Sequence, residues 1–262
     1  MKKIKAVFLD IDGTILYSNG ELAPELTELI KELNKKINIF ISTGRSFNSA
    51  YEYGKILGMK KEIISYNGAK ISDMLTKETI AENGLPEETV ERLIRLSRKE
   101  KIHLNLYKDD VYVEQKSKEI DEYTRGFGAH RHLVNFDEFI GQTSVKALFI
   151  STPERLVELR KTLETEISNV DYILSHPTYL EILKKGVNKG SAVKEVLKRH
   201  NISSDEAAAF GDQWNDYEML TYVKNGYLMG NAPEDLKAKF EKDMIISTND
   251  ENGVFKILEK MI

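Results

Sequence analysis

Cysteine is absent from the 262 residues, which removes disulfides, thiolate nucleophiles and cysteine-ligated zinc, and is compatible with a reducing cytoplasm. Long apolar runs are missing too. No stretch approaches the roughly 20 residues of a membrane span, and the run Ala6-Val7-Phe8-Leu9 is broken by Asp10 too early to form the core of a secretory signal. Charge of one sign is not in excess: 38 Lys and Arg against 42 Asp and Glu leave a net −4, so neither nucleic acid nor anionic lipid is attracted in general. An anionic ligand must then be held by a local site. No repeat or low-complexity tract interrupts the chain. These exclusions point to a soluble, cytoplasmic protein without nucleic-acid or membrane partners. Its 41% hydrophobic content suffices for a core domain and an accessory one.

Residues 4–9 form an apolar, partly β-branched run that ends in Asp10, the pattern of a buried strand delivering a carboxylate to the sheet edge where α/β proteins bind ligands. Pro24 opens a helical stretch to about Lys36, and residues 37–41 make a second strand ending at Ser42-Thr43-Gly44-Arg45. A helix over 47–57, a strand over 62–65 and a turn at Tyr66-Asn67-Gly68-Ala69 continue the alternation. The rhythm then changes to helices over 86–101 and 153–167 among short strands near 103–107, 111–114, 145–150, 172–174 and 179–183. Regular alternation returns from Lys189, with strands expected at 207–210, 226–229 and 244–246. The expected fold is α/β: a Rossmann-like parallel core over 1–82 and 187–262, with an α+β cap inserted over 83–186.

Chemistry-bearing residues gather at the strand ends. Asp10 and Asp12 stand two apart in DIDGT, so one carboxylate can attack or bind a cation while the other moves a proton, provided their environments differ. An ordinary Asp-rich turn has the same composition. Thr43 and Gly44 precede a helix, where amides and a hydroxyl can donate to phosphate and glycine permits close approach; a simple helix cap reads the same way. Lys189 in GVNKG can add a fixed positive charge. Asp212, Asn215 and Asp216 in GDQWND follow another apolar strand, and Asp212 with Asp10 can offer hard oxygen ligands to magnesium; capping and a solvated helix face are the plainer alternative.

The order of these pieces resembles the haloacid dehalogenase superfamily, and within it the Cof-type phosphatases with a C2-type cap between the second and third motifs. The likeness rests on DIDGT, STGR, YNGA, GVNKG and GDQWNDYEML, which together span the chain. It implies a phosphatase acting on small phosphorylated metabolites, with Asp10 as nucleophile and Asp12 as general acid and base. It further implies that Thr43, Gly44, Lys189 and Asn215 bind phosphate, and that Mg²⁺ is held by the Asp10 carboxylate, the Asp12 carbonyl and Asp212, with Asp216 in support. A phosphomutase or phosphotransferase would share the aspartyl-phosphate chemistry, and a phospho-aspartate signalling module shares the pocket composition.

Three further expectations concern other side chains. His130 and His132 read as a solvated loop rather than a metal pair, for want of a third ligand. Trp214, the only tryptophan, is expected to pack or line an entrance. Tyr179 and Glu181 are either substrate contacts of the inserted domain or plain strand residues.

Overall fold

The structure is a computed structural model and describes residues 3–115 and 131–261; His130 lies outside them. The chain divides into two compact units, one of Met1–Ala81 with Asn188–Ile262, the other of Glu82–Val187.

Unit 1 begins with β1 (Ala6–Leu9), α1 (Pro24–Leu33), β2 (Asn38–Ser42), α2 (Phe47–Ile56), β3 (Ile63–Ser65), β4 (Lys70–Ser72) and β5 (Thr79–Glu82). Unit 2 contributes α3 (Glu87–Glu100), β6 (His103–Tyr107), β7 (Val111–Val113), β8 (Arg131–Leu133), β9 (Ala147–Ile150), α4 (Pro153–Glu166), β10 (Val170–His176) and β11 (Tyr179–Lys184). The chain returns to unit 1 with α5 (Lys189–Arg199), β12 (Ala207–Gly211), α6 (Tyr217–Tyr222), β13 (Asn225–Leu228), α7 (Glu234–Lys237) and α8 (Gly253–Leu258).

The sheet of unit 1 runs β13-β12-β1-β2-β3-β4-β5. Every pairing from β13 to β3 is parallel, and β3 with β4 is antiparallel. Its central strands are apolar throughout because both faces are covered. Val7, Leu9, Ile39 and Ile41 pack with Leu26, Ile30 and Leu33 of α1 on one side, while Ala6, Phe8 and Phe40 meet Val193, Val196 and Leu197 of α5 on the other. Phe8 and Phe40 are register partners whose rings stack at 4.8 Å, a contact worth ~0.5–1.5 kcal/mol beyond the area buried. Helix α1 fits its place: Pro24 stands in its first turn, and Leu26, Ile30 and Leu33 recur at helical spacing.

In unit 1, two departures from the sequence reading concern strands. Residues 70–72 and 79–82 extend the core sheet beyond the expected turn. Residues 244–246 form no strand: a tight turn occupies Lys242–Met244, and Ile245 makes a single parallel bridge to Leu228.

In unit 2 the described strands run β10-β11-β9-β6-β7-β8, antiparallel except β7 with β8. One face packs on α3 and α4 through Val90, Leu93, Leu156, Leu159 and Leu163. His132 belongs to strand β8 rather than a loop; its Nε2 lies 2.9 Å from Asp110 Oδ2 and its ring stacks on Tyr112 at 4.9 Å. Such pairing consumes the side chain locally. No helix among the described residues is long and apolar enough to cross a membrane.

Candidate active site

Strand β1 lies between β2 and β12, so the order of the parallel strands reverses about it, which is where open α/β sheets leave a crevice at their carboxyl ends. Asp10 follows β1, Thr43 follows β2, Tyr66 and Asn67 follow β3, and Asp212 follows β12. These side chains therefore share one edge.

The turn after Asp10 depends on glycine. Leu16 N–H donates to Ile11 C=O (3.1 Å), closing a wide turn in which Gly13 adopts φ 70°. A Cβ there would stand 2.4 Å from Asp212 Oδ2, so both the left-handed backbone and the close approach exclude a larger residue. The turn at Tyr66-Asn67-Gly68 is left-handed at all three residues, with φ 51°, 55° and 98°. A Cβ at Gly68 would meet Asn188 C=O at 2.2 Å, and so this turn can press directly against the start of α5.

Lys189 is the first residue of α5, placed by a capping box in which Asn188 Oδ1 accepts from Ser191 N–H (2.8 Å) and Ser191 Oγ accepts from Asn188 N–H (3.1 Å). A cation at a helix N-terminus opposes the helix dipole, and this one is fully buried. Two carboxylates offset both costs: Lys189 Nζ donates to Asp10 Oδ1 at 2.7 Å and to Asp216 Oδ1 at 2.6 Å. Asp216 is itself committed, since its Oδ2 accepts from the N–H groups of Asp212 (2.9 Å) and Gln213 (3.0 Å). Asp212 accepts at Oδ1 from Thr14 Oγ1 (3.3 Å) and at Oδ2 from Gln213 Nε2 (3.2 Å).

Ligand oxygens of Asp10, Asp212 and Asp216 lie within 4.8 Å of one another, and all three residues are buried. Three carboxylates against one ammonium leave an excess of negative charge in a place shielded from water. Burial foremost, then the charges of Asp216 and Asp212, push the Asp10 carboxyl well above its ordinary range against the opposing pull of Lys189. Asp212 is pushed up to about 7, by burial first and Asp216 second. For Lys189, burial works against the charge, but Asp10 and Asp216 outweigh it and hold the ammonium above its ordinary value. The donor set of hard carboxylate oxygens, short of positive charge, fits a divalent cation of the Mg²⁺ type. Asp10, Asp212 and Asp216 could each offer it an oxygen, Asp216 least readily, because its Oδ1 accepts from the Lys189 ammonium and its Oδ2 from two backbone amides.

The remaining residues of the edge are linked by hydrogen bonds. Thr43 is buried; its N–H donates to Ile64 C=O (2.9 Å), its carbonyl accepts from Asn67 N–H (3.0 Å) and its Oγ1 accepts from Arg45 N–H (3.2 Å). The cap of α2 is Ser46, whose hydroxyl accepts from Ser49 N–H, so the STGR segment is a loop ahead of the helix and not its cap. Asn215 Nδ2 donates to Asn67 Oδ1 (2.9 Å), and a Cβ on Gly44 would lie 3.0 Å from that same oxygen. Asp12 stands apart from the buried cluster: Arg45 Nε and NH2 donate to its Oδ2 (2.7 Å) and Oδ1 (2.6 Å). Trp214 is 44% exposed, 6.0 Å from the ring of Tyr217. In unit 2, Tyr179 lies 4.9 Å from the ring of His176, and Glu181 accepts from the buried Lys146 at 2.9 Å.

Three residues of this edge carried no role from sequence alone. Asn67 was legible only as half of an Asn-Gly turn, and Arg45 only as the last letter of STGR. Asn231 had no signal: its Nδ2 donates to Gly13 C=O (2.9 Å) and lies 3.5 Å from Asp212 Oδ2, while its Oδ1 accepts from Asn249 N–H (3.1 Å).

A sheet parallel from β13 to β3, with a carboxylate and lysine cluster at its switch point, places the chain among α/β proteins with a site at the carboxyl ends of their strands. The chain belongs to the haloacid dehalogenase-like hydrolase family, which matches it over residues 7–258. One relative, the HMP-PP phosphatase of Yersinia pseudotuberculosis, is 29% identical over 250 residues, covering 94% of this chain and 90% of that protein. A haloacid dehalogenase-like hydrolase from Bacteroides thetaiotaomicron superposes with a TM-score of 0.91 at 25% identity, over 99% of this chain and 100% of that one. The crystal structure of a Thermotoga maritima protein gives 0.90 at 30% identity, over 98% and 97%.

Proposed function

We propose that this enzyme is a Mg²⁺-dependent phosphatase that hydrolyses small phosphorylated metabolites, sugar phosphates or similar, through a phosphoryl group carried on Asp10. The observation that supports it most is the Lys189 bridge: a buried ammonium holds Asp10 Oδ1 at 2.7 Å with Asp212 in the same cluster, so the carboxylate is fixed in orientation at the sheet edge. The name of the Yersinia relative adds HMP-PP to the substrates worth testing.

In this reading an oxygen of Asp10 attacks phosphorus as the bond to the leaving oxygen breaks, and Asp12 gives the leaving oxygen its proton. Asp12 then takes a proton from water as that water attacks the phosphorus of the acyl phosphate, which frees inorganic phosphate and restores the Asp10 carboxylate. Lys189, Thr43 and Asn215, together with the amides around Gly44, bind and orient the phosphoryl oxygens. Asp10 and Asp212 would hold a divalent cation, which would supply charge neutralisation for the phosphoryl group. Asp216 holds Lys189 in place through Oδ1 and the Asp212 loop through Oδ2.

The test is phosphate release from a panel of sugar phosphates, nucleotides and HMP-PP, with Mg²⁺ and with EDTA, and without any acceptor. Release that needs Mg²⁺ and no acceptor is expected. Transfer to a sugar with no free phosphate would make the enzyme a phosphotransferase instead, and full turnover under exhaustive chelation would remove the metal from the account.

A further inference from the structure

Arg45 lies outside the buried cluster, yet it is held at several points. Its N–H donates to Thr43 Oγ1 (3.2 Å) and its carbonyl accepts from Tyr66 N–H (2.9 Å). Its NH1 donates to Ser49 Oγ (3.0 Å), and its guanidinium carbon stands 5.1 Å from the centre of the Tyr53 ring. Ser49 and Tyr53 stand four apart on one face of α2, and Arg45, in the loop just ahead of the helix, reaches both. With Ser49 and Tyr53 ordering the guanidinium, Nε and NH2 remain, and both donate to Asp12, at 2.7 and 2.6 Å.

An exposed ion pair ordinarily contributes little. This one differs because the arginine is mostly buried and pinned before it reaches the carboxylate: the Arg45 side chain is 17% exposed and that of Asp12 56%. A carboxylate offers about four acceptor sites. The fork takes one on each oxygen, and the exposed remainder is open to a proton exchange with a reacting group.

We infer that Arg45 is the positioning residue for Asp12: its bidentate fork, fixed by Ser49 and Tyr53, sets the direction in which Asp12 presents the carboxyl group that moves the proton. This rests on the proposed acid and base role of Asp12. Arginine is required because a lysine ammonium is a single point of charge and cannot set the plane of the carboxylate.

The experiment compares phenyl phosphate, a poor leaving group, with p-nitrophenyl phosphate, a good one of nearly the same shape, in the Mg²⁺-loaded full chain. Asp12→Asn should lose far more kcat/KM on phenyl phosphate than on p-nitrophenyl phosphate. Arg45→Met should show the same selective pattern, with a loss of roughly 10–100-fold on phenyl phosphate, the size expected for misplacing a reacting group by about an ångström, and a few-fold on the other. Arg45→Lys should fall between. In the Asp12→Asn background, Arg45→Met should add less than about twofold on either substrate, since a residue that acts through another has nothing left to position. Equal losses on both substrates, or a double variant whose losses multiply, would overturn the inference while leaving Asp12 in its role. An Asp12→Asn variant with no leaving-group dependence would overturn both. Urea unfolding of each variant separates a folding defect, which would slow both substrates alike, from a positioning one.

Discussion

Replacing Lys189 with methionine keeps the length and bulk of the side chain and removes only the ammonium. Three buried carboxylates within 4.8 Å of one another would then face each other with no cation between them. Removing one partner of a buried, hydrogen-bonded ion pair costs about 3–5 kcal/mol, and Lys189 is fully buried with contacts of 2.6 and 2.7 Å to Asp216 and Asp10. At about 2–4 °C per kcal/mol for a unit of this size, the melting point should fall by roughly 6–20 °C. The loss should depend on pH. Asp10 and Asp212 already hold protons more tightly in the folded than in the unfolded state. A raised carboxyl contributes stability that is fully present below its unfolded value, near 3.8, and is lost as pH rises through its folded one. The deficit of the variant should thus be largest above pH 7 and shrink toward pH 5. Divalent cation, supplying positive charge to the same oxygens, should recover part of it. Urea unfolding without metal at pH 8 and pH 5.5, followed by Trp214, the only tryptophan and a member of unit 1, reads this directly. A variant within about 1 kcal/mol of wild type at pH 8, well below the 3–5 expected, or a deficit independent of pH, would refute the reasoning.

Metal affinity should follow the Asp212 proton: with its carboxyl at about 7, Mg²⁺ must displace that proton at pH 6 but not at pH 8, so calorimetry should show binding weaker by at least about tenfold at pH 6. Gly13→Ala should lose about 1–2 kcal/mol to the left-handed backbone and, with a Cβ 2.4 Å from Asp212 Oδ2, should also weaken metal binding, both measurable by unfolding with and without Mg²⁺. If unit 2 selects the substrate, replacing residues 84–184 with a short linker should flatten the ranking across the metabolite panel far more than it alters Mg²⁺ binding; an unchanged ranking in a folded core would place recognition in unit 1.

The strands that carry the site were legible because they are buried on both faces. Residues 4–9, 37–41 and 207–210 read as mainly apolar runs, and the strands run over 6–9, 38–42 and 207–211. Strands β4 and β5 were not, since Lys-Ile-Ser and Thr-Ile-Ala-Glu are short and mixed, and their pairing comes from neighbours rather than from their own pattern. Residues 244–246 misled in the opposite direction: Met-Ile-Ile has strand composition, but only Ile245 finds a bridge. In the site, Asp10, Thr43 and Asp212 announce themselves by standing at strand ends. Arg45, Asn67 and Asn231 do not, because each acts through a partner 33, 148 or 218 positions away, and no local period encodes such a pairing. Lys189 gave no sign that it is buried; that follows from the Asn188 cap, which turns the first residue of α5 inward.

The account turns on a phosphoryl group passing through Asp10, and rapid acid quench with ³²P-labelled p-nitrophenyl phosphate tests that most directly. Asp12→Asn enzyme, slowed in the step that needs a base, should accumulate acid-stable label on the peptide containing Asp10, and the label should vanish in Asp12→Asn with Asp10→Asn. Label on a different residue, or Asp10→Asn enzyme that keeps substantial turnover, would contradict it.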